Sequence, residues 1–306
     1  MSGNSVGSGS PTGEVAPPAN GTVQRAREPR RPIGDVAQWY IVTRHQLSHY
    51  LRSYRFLGLL LFVLLVSLLA LAFQVSAGVA ATRVAQLGSS SEYISNFLAY
   101  AGLWIVLSAA FFGGDALSVD FSTGAGYYML VLPIRRPTLL AGRYAAATAV
   151  TVSVVLLYYA VGLLGGAYFF GPSAIAWTLV AISLGIAVLF TLAALAVAFT
   201  ISAFFRSPAA GVLVTILTLY VGFTTLQGVV EFAGFEPWFS LSYAGGVLPE
   251  SLDTDFVHFQ AIPLGSDQYT TLWNATILEG VEIMLAYLAV FLGLSVALYQ
   301  RKESTG

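Results

Sequence analysis

Cysteine is absent from this 306-residue chain, and lysine occurs once, at Lys302. Neither a disulfide framework nor a thiolate metal site is available to such a sequence. Charge is scarce as well: Asp, Glu, Lys and Arg make up 9% of the residues, against 57% hydrophobic ones. Soluble domains carry roughly 25% charged residues, so this chain cannot clothe a solvated surface. With a mean hydropathy of +0.75 it reads as an all-α integral membrane protein, its solvent the lipid bilayer. Nothing in it marks a nucleic-acid partner. Lys302 lies between Arg301 and Glu303, so there is no Gly-Lys-Ser/Thr phosphate-binding loop. ATP and Mg can enter its chemistry only on another polypeptide.

Histidine is nearly as rare, with only His45, His49 and His258. His45 and His49 stand at i, i+4, a metal-ligand spacing that reads here as filling of a polar helix face beside Arg44. His258 falls in a long acidic loop and has no partner in the sequence. No catalytic, cofactor or metal set emerges, and the chain is not an enzyme by itself.

A helix needs roughly 20 mostly apolar residues to cross the hydrocarbon core. Charge-free windows of 27 residues (Arg55 to Arg83), 22 (Glu92 to Asp115), 62 (Arg143 to Arg206), 24 (Arg206 to Glu231) and 18 (Glu282 to Arg301) satisfy that length. The longest holds two spans around the turn at Phe170–Ser173. Six transmembrane helices are therefore predicted at about 56–76, 93–113, 144–169, 174–204, 209–230 and 280–299. With six spans, 13 of the 14 basic residues fall on one side, and only Arg83 falls on the other. Arg-rich connections stay in the cytoplasm. The expected protein is thus a multi-pass protein of the cell membrane with both termini inside and an acidic outer loop at about 231–279. Glu279 and Glu282, at i, i+3 on one helical face, stand at the outer mouth of the sixth span. They either shape an exit or mark the interface. Asn274-Ala-Thr in the outer loop is a glycosylation sequon.

Residues 1–35 are rich in Gly, Ser, Pro and Ala, contain no apolar signal-peptide core, and suit a disordered cytoplasmic tail. Beyond them Val36, Tyr40, Leu47, Leu51 and Tyr54 recur at helical spacing, with Arg44, His45, Ser48, Arg52 and Arg55 on the other face. Such a basic amphipathic helix with Trp39 belongs at the headgroup level, as an interfacial elbow leading into the first span. A soluble helix that packs on another protein is the other reading.

The spans contain essentially no ionisable side chain in their interiors, whereas ion-coupled carriers keep such groups at membrane depth. Broken Gly/Pro segments of repeat-based carriers are also missing. Hydroxyls of Thr191, Thr200, Thr215, Thr218, Thr224 and Thr225 would suit an amphipathic or lipid-like cargo, or ordinary helix packing. Gly162-x-x-x-Gly166 in the third span lets helices approach closely.

The connection between the second and third spans is the most distinctive stretch: DALSVDFSTGAGYYMLVLPIRRPTLLAGRYAAA. It resembles the signature of the ABC type-2 permeases, the membrane subunits of ATP-driven exporters. There a cytoplasmic Glu-x-x-x-Gly-Thr is followed by a Leu pair, Pro-x-Ser-Arg and Leu-Leu-x-Gly-Lys. Asp120 stands for the Glu, Gly124 matches and Ala125 replaces the Thr. Leu130 and Leu132 keep the apolar positions, and Pro133 and Arg136 match with Arg135 in place of Ser. Leu139, Leu140 and Gly142 match, and Arg143 replaces the Lys.

The resemblance spans about residues 36–303, read as one permease domain, and implies short cytoplasmic coupling helices that dock on a separate ABC ATPase subunit. It also implies pairing with a second permease copy or a related permease. Tyr127, Tyr128, Met129, Leu130 and Leu132 then form an exposed apolar and aromatic patch of the kind that marks protein interfaces. Arg206 and Ser207 form a second cytoplasmic turn that approaches the ATPase in this family. The competing readings give the arginines a topological role alone, and make the chain a non-transporting scaffold, an assembly factor or an ATP-independent carrier.

Overall fold

The computed structural model describes residues 34–76, 88–119, 135–252, 256–263 and 269–302. Eleven α-helices are named here: α1 Asp35–Leu51, α2 Tyr54–Ser76, α3 Ser90–Leu98, α4 Ala101–Gly113, α5 Arg136–Phe170, α6 Trp177–Phe204, α7 Pro208–Ile216, α8 Phe223–Phe232, α9 Leu241–Gly245, α10 Val247–Glu250 and α11 Ile277–Lys302. Six helical stretches are long and apolar enough to cross a membrane: Tyr54–Ser76, Ser90–Gly113, Arg136–Phe170, Trp177–Phe204, Pro208–Phe232 and Ile277–Arg301. They coincide with the six predicted spans, and the chain is a multi-pass membrane protein by length and composition.

Local chemistry sets the helix limits. The Ser53 hydroxyl accepts from Phe56 N–H at the start of α2. Ser89 does the same for Glu92 N–H at the start of α3, half of a capping box. Pro137 and Pro208 occupy the first turns of α5 and α7, where no amide hydrogen is needed. Gly171, at φ +86°, ends α5 in a conformation open to glycine.

α6 lies at the centre of the bundle against α4, α5, α7 and α11. Its Ala193, Ala194, Ala196 and Ala198 are fully buried. Helices in lipid gain little from apolar burial, so association rests on close packing and interhelical hydrogen bonds. Both are present. A Cβ at Gly162 would lie 2.8 Å from Phe97 Cδ1, so the Gly162/Gly166 stripe receives α3. Tyr158 Oη donates to Phe97 O at 2.5 Å, Tyr144 Oη to Leu192 O at 2.5 Å, and Thr200 Oγ1 to Phe291 O at 2.7 Å. α2, the α7–α8 span and α11 are peripheral and leave Leu61, Leu65, Leu213, Leu217, Leu285 and Val290 exposed.

Four findings differ from the sequence-based expectation. The second span is interrupted at Ala99–Tyr100 between α3 and α4. The fifth carries a π-helical stretch at Leu217–Gly222 between α7 and α8. The third begins eight residues earlier than Tyr144, at Arg136, because Arg143 closes an apolar window without ending a helix. Finally, the fold is helical as expected, but the loop after α10 also forms an antiparallel hairpin of β1 Phe259–Pro263 and β2 Tyr269–Trp273, with Phe259 opposite Trp273. In addition, the hydroxyls of Thr191 and Thr215 donate to the carbonyls of Ala187 and Gly211 on their own helices. Both residues are buried in the bundle.

Candidate functional site

Consecutive spans run in opposite directions, and the charges sort with them. One end of the bundle gathers α1, the start of α2, the end of α4, the starts of α5 and α7, and the end of α6. Its contacts are specific: Ser202 Oγ accepts from both Leu117 N–H (3.0 Å) and Ser118 N–H (3.1 Å), and a Cβ on Gly211 would collide with the Gly114 carbonyl. This end carries Arg44, Arg52, Arg55, Arg135, Arg136, Arg143 and Arg206.

α1 lies against the first turns of α5. A Cβ on Gly142 would fall 2.7 Å from Val42 Cγ1, so the glycine is what permits the crossing. Arg135 Nη1 donates to Asp35 Oδ2 at 2.9 Å and links the starts of the two helices. The face of α1 turned to the bundle carries Gln38, Val42, Gln46, Leu47 and Tyr50, while Val36, Tyr40, Leu51 and the following Tyr54 are exposed. Four of the five residues of the expected apolar stripe thus point away from the bundle.

Of the residues assigned to the ATPase contact, Asp120, Gly124, Tyr127, Tyr128, Leu130 and Pro133 lie outside the described residues. Arg135 and Arg136 are exposed at the start of α5, and Leu139 is half-buried. Gly142 and Arg143 are buried, and Arg143 Nη1 donates to Ala116 O at 3.0 Å. Arg143 is thus turned into the bundle and ties α5 to the segment after α4. Arg206 and Ser207 are exposed at the same end, ahead of α7.

Behind this surface is a cavity of about 660 Å³ lined by His45, His49, Tyr50, Arg55, Asp115 and Arg143 among others. Arg55 forms an ion pair with Asp115, whose carboxylate is buried while the guanidinium side chain is 62% exposed. Burial pushes the Asp115 carboxyl above its ordinary value, and the nearby Arg55 and His49 only partly offset it. The histidine pair singled out by its spacing therefore lines this cavity, together with two arginines and one carboxylate.

The opposite end is acidic. Glu279 lies in the first turn of α11 in a reciprocal capping box: Thr276 N–H donates to Glu279 Oε2 at 2.8 Å, and Glu279 N–H to Thr276 Oγ1 at 3.3 Å. Glu282 is exposed one turn on. Glu279 meets Glu236 and His258, with ligand-capable atoms of all three within 4.8 Å of one another. Sequence spacing missed this set because the hairpin, and not any local motif, returns His258 to the helix start. Asn274, the sequon residue, donates its side-chain amide to Val257 O at 2.9 Å and helps close the hairpin.

No family model matches the chain, and no curated protein matches it.

Proposed function

We propose that this chain is the membrane-spanning permease subunit of an ATP-binding-cassette exporter, driven by a separate ATPase that holds ATP and Mg. The observation that carries the reading is the ordered set Asp120, Gly124, Pro133, Arg136, Leu139, Leu140 and Gly142 in the connection before the third span. Charge topology accounts for arginines there, but not for that order of prolines, leucines and glycines. The sorting of the arginines to one end supports a cytoplasmic position for it. Trp39, Tyr40 and Ile41, exposed on α1 beside Arg44, support an elbow helix at the headgroup level. Arg135, Arg136 and Pro137 at the head of α5, with Arg206 and Ser207, supply the contact surface for the ATPase. Closure of the motor pushes this surface, and the helical extension of α5 carries the displacement into the span. Two copies, or this chain and a related permease, complete the transporter.

The test is co-purification with an ABC ATPase encoded beside its gene, followed by ATPase assay in proteoliposomes. Arg136→Glu should release the ATPase while leaving the permease folded, since a carboxylate in the first turn of a helix is favoured by the helix dipole. An intact complex with unchanged ATPase stimulation would overturn the assignment of the contact. A permease that purifies with no ATPase and transports unaided would overturn the reading itself.

A further inference from the structure

We propose that Glu236, His258 and Glu279 bind a divalent transition-metal cation of the zinc class at the acidic end of the bundle. The three side chains come from separate elements: the connection after α8, the entry to β1 and the first turn of α11. Among the described residues this is the one set of three His, Cys, Asp or Glu side chains brought so close together.

The arrangement goes beyond a collection of acids, because each member is oriented by a group that is not itself a ligand. His258 Nδ1 lies 2.8 Å from Asn274 O. A proton on Nδ1 satisfies that carbonyl and leaves Nε2 as a lone-pair donor, the tautomer that metal-ligating histidines adopt. The imidazole is held edge-on to the Trp273 ring, with centroids 5.6 Å apart, and beside Phe256. Tyr243 Oη, on the buried phenol of α9, donates to Glu236 Oε1 at 2.7 Å and leaves the other carboxylate oxygen for a ligand. The capping box engages Glu279 Oε2 and leaves Oε1. Each side chain is thus held at one polar atom and keeps a second, an imidazole nitrogen or a carboxylate oxygen, outside these bonds.

The donor types choose the metal. Imidazole with carboxylate suits zinc and its neighbours in the first transition row, whereas calcium and magnesium prefer all-oxygen shells. Around a tetrahedral zinc, ligand atoms stand about 3.3 to 3.6 Å apart, given metal–ligand distances of about 2.0 to 2.2 Å. The observed separations within 4.8 Å close to that value through modest side-chain rotation. Three protein ligands leave a fourth position for water or another small ligand. Two glutamates also balance the dication's charge, and the half-buried setting of all three residues leaves the ion a path of entry. Bound metal would fasten the hairpin and the α8–α9 connection to the head of α11. The site stands whether or not an ATPase drives the chain.

The experiment uses the full chain in detergent micelles, stripped with chelator and titrated with Zn²⁺ by calorimetry, with Co²⁺ as a spectroscopic probe of imidazole ligation. One equivalent of Zn²⁺ is expected per chain, with a rise in unfolding temperature that chelator reverses. His258→Ala and Glu279→Gln should each weaken binding by at least tenfold. The glutamine retains the capping oxygen and so keeps α11 intact. Tyr243→Phe should weaken it by about tenfold through loss of the orienting hydrogen bond. Glu282→Gln, which removes a neighbouring charge outside the set, should leave the affinity within about twofold. Absence of stoichiometric Zn²⁺ binding overturns the proposal. So does a Glu282→Gln effect as large as that of Glu279→Gln, which would mark diffuse attraction to an acidic surface. A folded His258→Ala protein that binds as the wild type does would also overturn it.

Discussion

The ion pair of Arg55 and Asp115 predicts an asymmetry between its two partners. Asp115 is buried and Arg55 is largely in water, so the pair is unequal in what each member loses when the other is removed. Arg55→Ala leaves a carboxylate in a cavity wall with its strongest counter-charge gone. A stranded buried charge costs several kcal/mol in a fully enclosed pair. Because the guanidinium is 62% exposed, its attraction is screened, and the expected loss is about 1–3 kcal/mol. Asp115→Asn removes the charge whose burial opposed folding and keeps an acceptor for Arg55. Its expected effect is within about 1 kcal/mol of zero. The double variant should recover most of the Arg55→Ala loss.

The pH dependence follows from the raised Asp115 value. A carboxyl raised on folding adds stability while protonated; that contribution is full below its unfolded value near 3.8 and is lost as the pH rises through the folded value. The wild type should therefore lose stability relative to Asp115→Asn as the pH rises above that point. Arg55→Ala should lose it more steeply and over a wider range. His45 and His49 on α1, Arg55 on α2 and Arg143 on α5 share the cavity with Asp115. Thermal unfolding in detergent, followed by tryptophan fluorescence from about pH 4 to pH 7, reads the differences at roughly 2–4 °C per kcal/mol. Equal losses for Arg55→Ala and Asp115→Asn, or a wild type that gains on Asp115→Asn with rising pH, would refute the reasoning.

Three further outcomes are expected. Gly142→Ala places a methyl against Val42 at the α1–α5 crossing and should cost about 1–3 kcal/mol by thermal unfolding, with much of it restored in Val42→Ala/Gly142→Ala. Ser202→Ala leaves the buried amides of Leu117 and Ser118 without their shared acceptor and should cost about 1–3 kcal/mol in the same assay, with faster hydrogen exchange at both amides. Tyr158→Phe deletes the donor to Phe97 O and keeps the stacked ring pair, whose centroids are 4.9 Å apart, so its cost should be only about 1 kcal/mol.

The six spans were legible because a bilayer imposes a length and an apolar composition on each helix separately, and both are properties of contiguous sequence. Their limits were less so wherever a charge was taken as a boundary. Arg143 ended a window in the sequence, yet in the fold its guanidinium donates to Ala116 O, and α5 runs on for two further turns towards Arg136. A buried arginine with a carbonyl partner from another segment looks, in one dimension, the same as an arginine at a membrane surface. The stripe on α1 misled in the converse way. Periodicity identified a face containing Val36, Tyr40 and Leu51, but which face meets the bundle is decided by the glycine that Val42 needs on α5.

The acidic end shows the limit of spacing most plainly. Glu236, His258 and Glu279 are about twenty residues apart in succession, and no helical or strand period relates them. Their meeting depends on the pairing of β1 with β2, on the Asn274 amide that closes the hairpin at Val257, and on the capping box that starts α11 at Thr276. Only the last of these is a local signal: Thr276-Ile-Leu-Glu279-Gly fixes where α11 begins and so fixes Glu279. The hairpin strands, Phe259–Pro263 and Tyr269–Trp273, are short and carry a proline and polar residues that weaken any strand pattern. A rare residue is then the better guide than a period. His258 is one of three histidines, and in an acidic loop an imidazole is the one side chain that changes which cation the loop can hold.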